Sequence, residues 1–272
     1  MLLSAGLLTF SVVLLSHPWP TSEGLQTLEE RFEAPAGYRR VEQPKKSFGN
    51  WLRNLPIKSG RPLVRLHNGR LKGNQDAQVA VIDIDVGKKD LQQCADAAMR
   101  LRAEYLWSAN RKSDVCFRYT SGDAASWSDW SKGIRPRIKK NKVLWSKRAK
   151  PNGSYPNFRK YLDSVFMYAG TFSLSKELKR VREASKVMPG DVFIKGGFPG
   201  HAVIVLDVVI DKEGNRRFLL GQSYMPAQEI HVLKNPKHRT PWYFARDSGR
   251  LDTPEYGFTF SDLKRFQEKG CP

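Results

Sequence analysis

The stretch "MPGDVFIKGGFPGHAVIVLDVV", Met188 to Val209, decides the fold. A Pro-Gly-Asp turn leads into the short apolar run Val192 to Ile194, and Gly196, Gly197, Pro199 and Gly200 then break the chain. His201 opens a second and longer apolar run. Two β-rich runs separated by glycine and proline read as antiparallel strands joined by a turn. Further on, Gly214-Asn215 marks another turn, and "FLLGQSYMPAQEIHVL" (Phe218 to Leu233) continues as strand. Strands clustered in this way, with few helices, predict an α+β fold. A histidine at the mouth of a strand sits on a rim, where an imidazole can serve as a base. Its meaning depends on a partner.

Working outward, "SFGNWLRNLPIK" (Ser47 to Lys58) reads as a short helix capped by Ser47 and stopped before Pro56. Asn68-Gly69 lies between alternating apolar residues and predicts a two-residue hairpin. "AQVAVIDIDVG" (Ala77 to Gly87) alternates as a strand. The clearest helix is "DLQQCADAAMRLRAEYLWSA", with Asp90 as N-cap and Gln93 at the third position. Leu91, Cys94, Ala95, Ala98, Leu101 and Tyr105 share one face of it. "DVCFRYTSG" is a strand ending in a turn, "NFRKYLDSVFMYAG" (Asn157 to Gly170) a second helix behind a proline, and "SLSKELKRV" a third.

The chain has 272 residues and 40% hydrophobic content, enough for a packed core. Against 27 Asp and Glu stand 46 Lys and Arg, a net charge of +19, which favours anionic partners. Residues 1–22 read as a signal peptide or N-terminal anchor, because Leu2 to Leu15 is an unbroken apolar run closed by Pro18 and Pro20. Residues 23–46 read as an extended lead-in, and 47–272 as a single α+β domain. Export argues against nucleic acid as partner and confines membrane contact to the N-terminal segment. Cys94, Cys116 and Cys271 are too few for a disulfide framework and lack metal-ligand spacing, so neither metal nor cofactor is implied. Their odd number leaves at least one thiol free in each monomer, or an intermolecular bond.

The order of helix, "PGDVFI", "GHAVIVLD" and strand resembles the NlpC-like and CHAP branch of the papain-like cysteine amidases and peptidases. Gly190, Asp191 and Val192 to Ile194, then Gly200, His201 and Ala202 to Val205 carry the likeness, over an amidase-like core at about 157–232. It implies an antiparallel sheet packed against helices. It also implies a catalytic cysteine at a helix start, His201 as its base, and a polar residue on a later strand, for which Gln222 is the candidate. The helix in register begins with Asn157, which is no thiol. Cys94 is the alternative nucleophile, placed in the first turns of a helix where the dipole favours thiolate. It also lies on the apolar face, where a small inert core cysteine is common. More widely, the Ser47 to Lys58 segment, the Cys94 helix, the Phe218 to Leu233 segment and the histidine hairpin resemble an exported bacterial family of unknown function.

Ser126 to Lys150 carries nine Lys and Arg against one Asp, with Trp127, Trp130 and Trp145 interleaved. Indole faces suit sugars, and cations suit carboxylates or phosphates. Trp127, Trp130, Arg135, Lys139, Lys140 and Tyr224 are therefore the candidate substrate-binding residues. The alternative is a solvated loop whose tryptophans plug the core. Asp83 and Asp85, two apart, would share a strand face, most simply as solvated acids. The expectation is an exported periplasmic or envelope protein, a thiol amidase or peptidase acting on peptidoglycan or peptides. The alternative is an inactive papain-like module that binds acidic wall polymer.

Overall fold

The computed structural model describes residues 17–22, 24–140 and 142–271. The apolar run from Leu2 to Leu15 lies outside the described residues, and with it most of the expected leader. No described helix is long and apolar enough to cross a membrane.

Among the described residues, six α-helices, α1 (Leu28–Arg31), α2 (Phe48–Arg53), α3 (Cys94–Ser108), α4 (Trp127–Ser131), α5 (Tyr155–Tyr168) and α6 (Thr171–Glu177), bury their apolar residues on one side of a nine-stranded antiparallel sheet. Seven of its strands run in the spatial order Gln78–Val81, His231–Leu233, Arg216–Gln222, His201–Ile210, Val192–Lys195, Leu263–Arg265 and Lys179–Arg180. The hairpin read from the sequence is present, with Lys195 opposite His201 and Val192 opposite Ile204. Residues 24–46 do more than lead in. They hold α1, and Arg39–Arg40 pairs with the far end of the histidine strand.

Strand alternation divides the apolar residues between two cores. Val192, Ile194, Ala202, Ile204 and Leu206 face the helices, whereas Phe193, Val203, Val205, Phe218 and Phe258 fill the other side. The pairing of the histidine strand with Arg216–Gln222 shifts between Val205 and Asp207. After this bulge Val208 packs in the far core and Val209 in the helix-side core. Asp207, fully buried, meets Arg53 of α2 at 2.6 Å and Arg40 at 2.9 Å. Gly190 is obligatory in its turn. Its φ is +91°, and a Cβ there would come within 2.6 Å of the Phe48 ring.

Several expectations are corrected. Helix α3 starts at Cys94 with Gln93 as N-cap, one turn later than the Asp90 signature predicts. Asp90 instead accepts the N–H of Ala227 at 2.6 Å. The Ala77 to Gly87 strand is regular only over Gln78–Val81, and Asn68-Gly69 sits in a turn closed by a single bridge between Arg65 and Leu71. The basic segment is ordered as α4 followed by the hairpin Ile134–Lys139 and Lys142–Lys147. Cys116 and Cys271 form a disulfide across 155 residues, leaving Cys94 as the free cysteine.

Candidate functional site

Cys94 is the first residue of α3, the helix that packs across the histidine strand. The backbone N–H groups of Cys94, Ala95 and Ala202 face its sulfur and favour the thiolate. Burial, reinforced by the charge of Asp96, outweighs them and pushes the thiol up to about 11. The contact with Ala202 follows from the sheet. Val205 donates to the carbonyl of Asp191, the residue that precedes the neighbouring strand, so the N–H of Ala202 points the opposite way. There the pairing with Arg216–Gln222 ends at Ile204 and Gly221. The sulfur sits against that N–H, one residue from His201.

His201, 2% exposed, turns its ring to the other face of the sheet. It stacks on Phe258 at 5.9 Å between centroids, with Tyr224 at 4.8 Å and Tyr256 at 4.9 Å. Its Nε2 lies 2.9 Å from Gln222 Oε1. Gln222 Nε2 donates to Glu255 at 2.7 Å, and Lys72 donates to the same carboxylate oxygen at 2.6 Å. His231, across from Gln222 in the sheet, bonds through Nδ1 to the Glu229 carbonyl at 2.9 Å. Burial lowers His201 to about 4 and His231 to about 3, the more deeply buried of the two. The thiol therefore rests against the strand backbone one residue from His201, whose ring lies on the far face; both groups are neutral at pH 7, and no hydrogen bond joins them. Tyr224 lies between them, touching the imidazole ring, and its phenol is raised by burial, by Glu255 and by the Cys94 thiol when that is ionised.

Cys94, His201, Gln222 and Tyr224 thus come together, and the other predicted residues form a second group. Trp127 is in the core, edge-on to Trp107, Phe158 and Tyr161. Trp130 stacks under the Arg135 guanidinium at 4.0 Å and donates to Asn157 at 3.2 Å. Asn157 itself donates to the Asn152 carbonyl at 2.6 Å, so it ties α4 to α5 and is remote in role from a nucleophile. Lys139 and Lys140 are exposed at the hairpin tip. Asp85 pairs with Arg100 and Arg159, while Asp83 accepts the N–H of Ser22. Among the described residues no three His, Cys, Asp or Glu side chains converge as metal ligands would. Glu255, Lys72 and Tyr256 escape sequence reasoning because they reach the site from loops with no motif of their own.

These features define an α+β protein whose central sheet brings a helix-start cysteine and a strand-start histidine to one end. The chain belongs to the family described as Domain of unknown function (4846), whose profile matches residues 28–265. No curated protein and no solved structure matches it.

Proposed function

We propose that the protein is a thiol amidase or peptidase of papain-like, NlpC/CHAP-like type, exported to the cell envelope and acting on peptidoglycan or peptides. The observation that carries this reading is Cys94 at the first position of α3, its sulfur against the residue that follows His201. His201 donates from Nε2 to Gln222, so the lone pair is on Nδ1, the ring nitrogen nearer the strand backbone where the thiol rests. In the proposed step Cys94 attacks an amide carbonyl and its proton passes to His201 Nδ1. The C–N bond then breaks as that proton moves to the leaving amine, and water cleaves the thioester. The N–H groups at the start of α3 suit the oxyanion. Substrate binding closes the remaining gap between thiol and ring, as apo catalytic contacts commonly tighten. The exposed apolar side chains of Phe198 and Met225, on the two loops that follow the flanking strands, suit contact with a substrate. The Cys116–Cys271 disulfide suits an oxidising compartment and supports export.

The test is release of new amino termini from purified sacculi or defined peptides. Wild type should release them, and Cys94→Ala should lose the activity while remaining folded. Undiminished release by Cys94→Ala would overturn the thiol mechanism.

A second reading is favoured by the buried imidazole on the far face of the sheet. In it the polar cluster is structural, and the protein holds an anionic wall polymer through Arg135, Lys139 and Lys140. Salt-sensitive binding to sacculi without product release would support it, and binding unchanged after neutralising these cations would count against it.

A further inference from the structure

We propose that Glu255 is a positioning residue that fixes which nitrogen of His201 carries the proton, a role that rests on His201 acting as the base. An amide side chain such as Gln222 can present either its oxygen or its NH2 to a neighbouring imidazole. If it presents oxygen, His201 must donate from Nε2 and keeps Nδ1 free as a base. If it presents NH2, the proton moves to Nδ1 and the ring can no longer take a proton there. Something must therefore hold the amide in one orientation.

Glu255 does so. A carboxylate only accepts, so the group 2.7 Å from Glu255 Oε2 has to be the NH2 of Gln222, and its oxygen is left for His201. Rotating the amide by half a turn would set its oxygen against the carboxylate. His231 adds a weaker vote. With its Nδ1 donating to the Glu229 carbonyl, its Nε2 is an acceptor, 3.4 Å from the same NH2.

Glu255 is itself held in place. Its second oxygen accepts from Asn74 at 3.3 Å, and Lys72, almost fully buried, grips the first. The turn that carries it is closed by Thr253, which bonds Tyr256 through both backbone and hydroxyl. The proton position on His201 is thus set through Gln222 by a residue on a separate loop, and Glu255 need not touch substrate.

The test uses the full chain with 15N-labelled histidine. In wild type the NMR spectrum should show His201 protonated on Nε2; a proton on Nδ1 would overturn the proposal without any variant. In the double variant Glu255→Leu/Lys72→Met the acceptor is lost together with its cation, so no lone charge is left buried. There His201 should show a substantial Nδ1–H population, and iodoacetamide should modify Cys94 at pH 7 at least roughly tenfold more slowly, since the wrong tautomer cannot take the thiol proton. Glu255→Gln/Lys72→Met keeps an oxygen acceptor and should restore both readouts in large part. A folded Leu/Met variant with the wild-type tautomer and wild-type rate would refute the role of Glu255. Failure of the catalytic reading looks different: Cys94 would then react equally fast in wild type and His201→Ala, whatever the tautomer at His201.

Discussion

Burial drives Cys94 and His201 in opposite directions, to about 11 and about 4, so at rest both the thiol and the imidazole are neutral. The base form of His201 persists above about 4 and is lost below it. Product release should therefore hold down through pH 6.5 and fall only near pH 4, as a pH–rate profile would show; a limb at 6 to 7 would mean that the working imidazole is solvated. The same burial affects stability. His231 stays neutral in the fold down to about 3, while the unfolded chain binds its proton near 6.5. Its contribution is complete above 6.5 and is lost as pH falls from there toward 3. His231→Asn, which cannot titrate, should flatten the decline of urea stability over that window relative to wild type. Gln222 and Tyr224 were legible at this scale because they lie at and just after the end of the strand that pairs with the histidine strand. Glu255 was not, because its link to Gln222 spans 33 residues and a change of loop.

At the scale of elements, the bulge after Val205 shows what a strand reading misses. The run from His201 to Ile210 is legible as β, but one extra residue reverses which face later side chains occupy. The local sequence does not mark that residue; its reason lies in Arg53 and Arg40, which converge on Asp207. Asp207→Asn should cost about 3–5 kcal/mol in urea unfolding, because it leaves the buried Arg53 guanidinium without its countercharge. A loss below about 1 kcal/mol would mean that water reaches it. Helix α3 was legible over its length but its start was misplaced by a turn. Asp90 and Gln93 have the residue types of a capping box, yet Asp90 is drawn off to the backbone of Ala227, and Asp96 takes the N–H of Gln93. That displacement brings Cys94 from the second turn to the first residue and changes its chemistry. The register that pointed to Asn157 failed because residues 110–187 intervene between α3 and the Gly190 turn, so the helix nearest in sequence is not the one at the histidine.

Over the whole molecule, the Cys116–Cys271 bond ties the C-terminus back to the strand after α3, a contact with no local signature. Closing a loop of 155 residues constrains the unfolded chain strongly. Cys116→Ser/Cys271→Ser should accordingly lower the unfolding free energy by about 2–5 kcal/mol, read from urea titration without reductant. An unchanged midpoint would show that the C-terminal segment contributes nothing to the cooperative unit. The α+β class and the central hairpin were readable from glycine, proline and β-branched patterning. The two-sided core and the joining of α3 to the histidine strand arise from contacts between distant segments. The proposed function reduces, at this scale, to whether thiol and imidazole act as one unit. The most direct measurement is the rate of Cys94 alkylation by iodoacetamide at pH 7 in wild type and in folded His201→Ala. Without the imidazole the rate should be at least roughly tenfold lower; equal rates would show that thiol and imidazole do not act together.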